Sequence, residues 1–340
     1  MAATTTEPAT EPGTRAPHEV IWGLAQAVVP SRALHVVAEV GVADHLGDEA
    51  LPAAALAGPC QVDAMALERL LRLLCAHGIF ECAGEGFRHN RVSRLLCSDH
   101  PRSMRSFARI NGLPVARAAI AALDHAAATG RPGAECVDPA GFFHYLEGHA
   151  EEAAVFGQAM ADKARADIDD LLAAYDFRPF GTIADIAGGR GHLLHAILAV
   201  APEARGVLFD LPEVVGGAGP HPERLRTQAG DFFHDPLPAA DLYLLMEVLH
   251  DWRDREAAAI LGAIRRAAQP GATMLIIEHL LPDEGVDLVS QTLDVLMLAV
   301  TGGQERRPSD LRALLRSTGF QPGRVIHTAG PISAVEAVAI

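Results

Sequence analysis

The sequence predicts an α/β fold: an open, mainly parallel sheet wound with helices, preceded by a smaller helical module of winged-helix pattern. Three observations carry this. From Gly181 onward, short apolar strands alternate with helical runs, the pattern of a sheet covered on both faces. In that half, residues 182–191 (Thr-Ile-Ala-Asp-Ile-Ala-Gly-Gly-Arg-Gly) pass from an apolar strand through three glycines into the helical run His192–Ala201. Ahead of it, Ile21 to about Asp99 is apolar at helical spacing and closes in a small hairpin.

The glycine stretch anchors the reading. A strand, a glycine-rich turn and a helix form the nucleotide-binding unit of open parallel sheets. Glycines allow close backbone approach and torsions that a Cβ forbids, and the helix N-terminus offers free N–H groups and partial positive charge. A plain turn and a dinucleotide site remain open on this stretch alone. A second strand, Gly206–Phe209, ends at Asp210, about twenty positions past the glycines, where such folds place an acid on the ribose hydroxyls. Leu225–Ala229, Asp241–Met246 and Met274–Glu278 follow as strands, with a helix over Arg253–Ala268. A helix spans about Val286 to Val300, and Ser309 is positioned to cap another over Asp310–Thr318. Gly323–His327 and Ser333–Val338 have no helix between them and read as an antiparallel edge hairpin.

In the first part, Ser31–Leu46 puts Leu34, Val37, Ala38 and Val42 on one helical face, Pro52–Leu56 is a short helix, and Ala64–His77 carries Leu67, Leu70, Leu71 and Leu74. Gly84-Glu85-Gly86 turns a hairpin. Helices followed by a hairpin serve either DNA binding or dimerisation. A formal net charge of −15 favours dimerisation, because phosphate binding needs a basic surface. Aromatics make up only 5% of the chain, which also argues against stacking on bases. The chain is expected to divide into a disordered leader (1–17), the winged-helix-like domain (18–105), a helical linker region whose apolar residues either form core or line a substrate pocket (106–180) and the sheet domain (181–340). Between the first and last of these, Ala150–Tyr175 is a helix with Phe156, Met160 and Leu171 at apolar positions, placed just after the aromatic cluster Phe142–Leu146 that contains Phe143.

The leader lacks a signal-peptide core, and no later stretch reaches eighteen uninterrupted apolar residues, so no membrane span is expected. Five cysteines without a C-x-x-C pair read as reduced thiols in a cytoplasm. His192 and His195 lie three apart and Glu278 adjoins His279, but no third and fourth ligands stand at usable spacing, so no metal is expected.

Taken in order, Asp185–Gly191, Asp210-Leu211-Pro212, Gly230-Asp231-Phe232-Phe233, Leu249-His250-Asp251-Trp252, Gly302-Gly303-Gln304-Glu305-Arg306 and Ser317-Thr318-Gly319-Phe320 resemble the S-adenosylmethionine-dependent small-molecule O-methyltransferases. That group includes plant caffeic-acid-type and bacterial antibiotic-tailoring enzymes, and the bacterial branch looks closest. The resemblance covers roughly residues 20–340. It implies a seven-stranded Rossmann-like methyltransferase sheet, a winged-helix-like dimerisation domain, and a homodimer whose N-terminal region helps close the partner's pocket. It also implies that Gly188, Gly189 and Gly191 approach the methionine part of the cofactor, with Asp210 on the ribose and Asp231 and Phe232 on the adenine. Asp185, Leu211, Gly230 and Met246 belong to the same cofactor set. His250 is similar to the family's general base, Glu278 and Glu305 to its two acidic partners, and Asp251 is a third acidic candidate. Phe143, Phe156, Met160, Asp294 and Met297 are assigned to the acceptor, a small aromatic or polyketide molecule.

The chemistry fits these roles. A phenolate is a far better nucleophile than a phenol, and an imidazole is a base suited to making one. A neighbouring carboxylate orients and stabilises the resulting imidazolium. Three positions depart from the family pattern: Ala187 stands for a usual Gly, Met246 for a Lys near the adenine, and Lys163 for a His of the acceptor pocket. Ala187 either needs a left-handed torsion, at a cost of roughly 1–2 kcal/mol, or only close approach. Two other readings are a methyltransferase-like fold doing non-methylating tailoring chemistry, such as decarboxylation, hydroxylation or a pericyclic reaction, and a winged-helix DNA-binding regulator.

Overall fold

The computed structural model describes residues 16–216 and 222–340. All but the last two residues of the expected leader lie outside the described residues, and Pro17 already opens a helix. The chain divides into two compact units, one ending at Gly112 and the other starting at Leu113.

The first unit contains helices α1 (Pro17–Gln26), α2 (Val28–Glu39), α3 (Val42–His45), α4 (Ala53–Cys60) and α5 (Ala64–Ala76), a hairpin β1 (Glu81–Ala83) and β2 (Gly86–Arg88), and α6 (Arg105–Ile110). The helix expected over Ser31–Leu46 is broken at Gly41, whose left-handed φ of 71° separates α2 from α3. Asp63 caps α5 by accepting from the Ala66 N–H at 2.8 Å, and Leu67, Leu71 and Leu74 form its buried stripe. Gly86 lets Leu51 bridge to the hairpin, since a Cβ there would stand 3.0 Å from the Leu51 carbonyl.

No residue of α1 is buried, and Ile21, Trp22 and Leu24 are 73%, 63% and 78% exposed. Together Pro17–Glu39 form a 23-residue stretch apolar enough, by length and composition alone, to cross a membrane. The sequence reading missed this because polar residues interrupt the run. Ala33, Val37 and Ala38 of its second half lie in the core of the unit.

The second unit begins with α7 (Pro114–Ala121), α8 (Leu123–Thr129), α9 (Phe142–Glu147) and the long α10 (Ala150–Ala174). The wound part follows: β3 (Thr182–Ile186), α11 (His192–Val200), β4 (Arg205–Asp210), α12 (Pro212–Gly216), β5 (Leu225–Ala229), β6 (Leu242–Met246), α13 (Asp254–Ala267), β7 (Thr273–His279), α14 (Leu288–Val300), α15 (Pro308–Ser317), β8 (Phe320–His327) and β9 (Ile332–Ala339). The seven strands lie in the order β5-β4-β3-β6-β7-β9-β8. The first five are parallel, and β9 and β8 are antiparallel.

One expectation about the end of the chain holds and one needs correction. The last two strands form the expected antiparallel hairpin at the edge of the sheet, with β9 next to β7 and β8 outermost. Ile332–Val335 are buried throughout, as an interior strand requires, whereas β8 carries Pro322 and Gly323 and an irregular register, which only an edge tolerates. Ser309 does not cap α15. The helix starts two residues earlier than expected, at Pro308, whose fixed φ suits the first position. Asp310 accepts from the Arg307 N–H, and the Ser309 hydroxyl donates to Asp283 at 2.9 Å.

The core has two layers, one on each face of the sheet. Ala184, Ile186 and Leu245 pack on one side with Ile260 and Ile264 of α13 and Leu311 and Leu315 of α15. Ile183, Leu208, Leu242 and Leu244 pack on the other with Leu194 and Ile197 of α11 and Leu171 of α10. The chain winds outward from β3 to β5 and returns to place β6 on the other side of β3. That reversal opens a crevice at the carboxyl ends of β3 and β6, where open α/β sheets bind ligands.

Candidate active site

Two non-glycine residues in left-handed backbone frame the crevice. Ala187 follows β3 with φ 55°, and Glu247 follows β6 with φ 52°. Each still donates its N–H to the neighbouring strand, Ala187 to the Phe209 carbonyl at 2.8 Å and Glu247 to the Ile277 carbonyl at 2.9 Å. Both chains therefore keep strand pairing up to the point where they turn across the sheet edge. Of the two uses considered for Ala187, the left-handed torsion is the one present.

The glycine turn is built for closeness. A Cβ on Gly188 would stand 2.5 Å from the Asp185 carboxyl and 2.6 Å from Leu208. Gly189 and Gly191 have φ of 60° and 79°, and Gly191 leads directly into α11. Asp210, ending β4, accepts from the Gly189 N–H with Oδ2 and from the Leu211 N–H with Oδ1, both at 2.7 Å. An ionised carboxylate has about four acceptor positions, so Asp210 keeps capacity for a diol. Asp185 is buried beneath the turn, and the Leu194 N–H of α11 bonds to it. Burial, then the charge of Asp210, pushes Asp185 up to about 7, and its Oδ2 has no protein partner.

The other cofactor candidates occupy the same edge. A Cβ on Gly230 would meet the Phe209 ring at 2.8 Å. Asp231 accepts from the Phe233 N–H at 2.8 Å and contacts His234 Nδ1 at 2.7 Å. The Phe232 ring packs edge-on against Phe233 and Trp252, with centroids 4.7 and 6.0 Å apart. Met246 ends β6, half-buried.

His250 lies in the tight turn after β6 and is 6% exposed. Its Nδ1 is 2.8 Å from Glu305 Oε1. The carboxylate only accepts, so Nδ1 carries the proton and Nε2 is left to receive one. Asp251 Oδ1 lies 3.9 Å from Nε2. Glu278 contacts the main chain rather than the ring: its Oε1 accepts from the His250 N–H at 3.0 Å. The acidic partners thus divide the work, Glu305 setting the ring and Glu278 the turn that carries it.

The loop 302–306 wraps this turn. A Cβ on Gly303 would stand 2.0 Å from the His250 carbonyl, and the Gln304 N–H donates to that carbonyl at 2.8 Å. Arg306, 1% exposed, donates to the carbonyls of Leu249 and Trp252, each at 2.7 Å, and to Asp254 at 3.0 Å. Asp294, expected at the acceptor, accepts from the Glu305 N–H at 2.9 Å and so fixes the residue that fixes His250. Gly303 and Arg306 had no role assigned in the sequence reading. The signal was present, since a Gly pair and an Arg flank a motif acid.

Burial works against the imidazolium, but Asp251, Glu305 and Glu278 outweigh it and hold His250 up at about 10. Burial also raises Glu278 to about 7 and Asp251 to about 6. The histidine is therefore a stronger base than the near-neutral imidazole expected from its type.

Phe142, Phe143 and Phe156 form an edge-to-face trio with centroids 5.3–6.2 Å apart. Met160 is half-buried one turn after Phe156, and Met297 of α14 is buried. Glu247 was missed altogether: it ion-pairs with Lys163 of α10, and its Oε1 lies 3.5 Å from His279 Nε2. Among the described residues, no group of three or more His, Cys, Asp or Glu is gathered as a metal site would need.

A wound sheet with a glycine turn, a ribose-type acid and a carboxylate-held histidine on one edge defines a nucleotide-cofactor group-transfer enzyme. Residues 123–321 match the O-methyltransferase domain, and residues 22–99 match the O-methyltransferase dimerisation domain. O-demethylpuromycin-O-methyltransferase of Streptomyces alboniger is 37% identical over 337 residues, covering 94% of this chain and 88% of that protein. Phenazine O-methyltransferase of Lysobacter antibioticus is 37% identical over 314 residues, covering 90% and 92%. The crystal structure of human N-acetylserotonin methyltransferase in complex with S-adenosylmethionine superposes with a TM-score of 0.89 at 29% identity, over 97% of this chain and 99% of that one. The chain belongs to the O-methyltransferase family and is an S-adenosylmethionine-dependent O-methyltransferase. The site fits that cofactor: the turn leaves no room for a Cβ at Gly188, Asp210 retains acceptor capacity, and the buried Asp185 Oδ2 lies unpartnered beneath the turn.

Two predictions follow from this geometry. Ala187→Gly relieves the left-handed torsion and is expected to raise stability by up to about 1 kcal/mol in urea titration, with equal or tighter S-adenosylmethionine binding by calorimetry. A clear loss of affinity would mean that the methyl group itself supports the cofactor. The second concerns pH. His250 is raised from 6.5 to about 10 on folding, so its contribution to stability is complete below pH 6.5 and is lost as pH rises toward 10. The melting temperature should fall across that window, and His250→Gln should flatten the fall; equal slopes in both proteins would contradict it.

Proposed function

We propose that this enzyme methylates a phenolic or enolic hydroxyl of a small aromatic or polyketide natural-product intermediate, with His250 as general base. The observation that carries this is the Nδ1–Glu305 contact, which leaves Nε2 as the proton acceptor. Bound S-adenosylmethionine supplies an electrophilic methyl group on a sulfonium. His250 Nε2 takes the hydroxyl proton as the acceptor oxygen bonds to the methyl carbon, the C–S bond breaks, and S-adenosylhomocysteine leaves. A phenol has a pKa near 10, and the carboxylates hold His250 at about 10. Proton transfer between them is close to balanced, and Nε2 is free to accept only in the fraction of molecules whose ring is unprotonated at the working pH. Glu305 and Glu278 then stabilise the imidazolium. Asp210 and the Gly188–Gly191 turn hold the cofactor, Asp231 and Phe232 its adenine, and the Phe143/Phe156/Met160 face of α10 and its neighbours receives the acceptor ring. The relatives named above are methyltransferases named for O-demethylpuromycin, phenazine and N-acetylserotonin, which supports a small aromatic acceptor.

We further propose a homodimer formed through the apolar face of α1 and α2, within a reducing cytoplasm. Ile21, Trp22 and Leu24 are exposed in the single chain, the dimerisation-domain match begins at residue 22, and all five cysteines are free. On this reading, residues 18–105 serve assembly and residues 181–340 serve catalysis, with 106–180 shaping the acceptor pocket.

His250→Ala should lose at least about two orders of magnitude in turnover while binding S-adenosylmethionine normally. Mass spectrometry of the wild-type reaction should give one added methyl per product, with S-adenosylhomocysteine formed in step. Undiminished turnover in the variant removes His250 as base, and product without an added methyl favours non-methylating chemistry. Trp22→Glu should shift the protein from dimer to monomer in light scattering, and a persistent dimer would place the interface elsewhere.

A further inference from the structure

Lysine occurs once in this chain. Of 28 Lys and Arg residues, only Lys163 is a lysine. It does not lie on the surface: its side chain is 18% exposed and pairs with Glu247, itself 12% exposed. A buried ion pair is a weak source of stability, because desolvation offsets the attraction. Glu247 adds a left-handed φ of 52°, a torsion that side-chain-bearing residues hold only when the surroundings impose it. Two unfavourable features at one point in the crevice call for a functional reason. An arginine fork would suit a purely structural pair with a carboxylate better. A lysine instead offers a compact ammonium with three donors, of which Glu247 Oε1 takes one.

The place is specific. Phe156, Met160 and Lys163 stand at i, i+4 and i+7 on α10, so they share one face of the helix. That face runs from the aromatic trio to the ammonium. Glu247 is three residues before His250, and its carboxylate adjoins His279. The Lys163 charge is felt at Asp251 and His279, and Asp251 lies 3.9 Å from His250 Nε2.

We propose that Lys163 is the acceptor-reading residue: its ammonium donates a hydrogen bond to an oxygen flanking the hydroxyl that is methylated. The preferred acceptors are then aromatic hydroxyls with an ortho or peri carbonyl, carboxylate or second hydroxyl. This rests on the reading of His250 as base. In free acceptors of this class the reacting hydroxyl is tied to the flanking oxygen by an internal hydrogen bond. Lys163 takes over that oxygen, so the hydroxyl proton turns to His250 Nε2, and the ammonium stabilises the phenolate as it forms. Glu247 holds the ammonium in place until the acceptor arrives.

The test compares matched probes, 1-hydroxy-2-naphthoate against 1-naphthol and catechol against phenol, by kcat/KM and by binding to the full-length protein saturated with S-adenosylhomocysteine. The wild type should favour the flanked member of each pair by about tenfold to a hundredfold, the range of one charged hydrogen bond. The double variant Lys163→Met/Glu247→Gln strands no charge, and in it the ratio should fall toward one. Because the chain has one lysine, isotope-labelled lysine gives a single side-chain NMR signal in the unmodified protein. That signal should move with flanked probes and not with unflanked ones, which a merely structural lysine would not do. The proposal is overturned if the wild type does not discriminate, if the double variant keeps the ratio, if the signal responds equally to both members, or if no flanked probe binds. Failure of the base reading looks different: His250→Ala keeps its turnover, while the binding ratio and the lysine signal still report on Lys163.

Discussion

The hydrogen bond between His250 Nδ1 and Glu305 Oε1, 2.8 Å long and joining residues 55 apart in the chain, is the contact on which the catalytic half depends. Both partners are buried, so each must be held from behind. Glu278 and Arg306 hold the turn that carries His250, and Asp294 holds the main chain of Glu305. Gly303 passes so close to the His250 carbonyl that no side chain fits there. Sheet, turn and loop thereby fix one ring in one tautomer, the requirement for a base that must act on a proton in one direction.

The same enclosure sets the chemistry. Burying several carboxylates around one imidazole is costly, and protons offset the cost. Asp251 and Glu278 rise toward neutrality, and the histidine rises well above its usual value. A base matched to a phenol results, at the expense of the fraction that is unprotonated at neutral pH. Beneath the glycine turn, Asp185 is pushed up for the same reason, by burial beside Asp210. Strain at Ala187 and Glu247 belongs with this pattern. Both residues end adjacent parallel strands at the switch point, and both turn the chain sharply while keeping its strand hydrogen bonds.

Much of this was legible in the chain. The glycine turn, Asp210 and the His-Asp-Trp turn are local patterns, in which residue type and spacing decide the geometry. Strand and helix alternation and the capped, striped α5 were equally local. The misses share a cause. Ser309 lost the cap because Pro308 starts the helix earlier and Asp283, distant in sequence, takes its hydroxyl. The Lys163–Glu247 pair spans 84 residues. The exposed apolar face of α1 becomes visible only when the unit leaves it uncovered.

Sequence alone determined the class of chain, the order of its elements and the residue types brought to the sheet edge, because periodicity, turn chemistry and motif spacing act over a few residues. Tertiary structure decided how those residues act. It assigned Glu305 to the ring and Glu278 to the backbone, gave Ala187 its left-handed torsion, paired the single lysine with Glu247, and made His250 a strong base. These outcomes depend on burial and on distances between residues far apart in the chain, and neither is set until the sheet has formed.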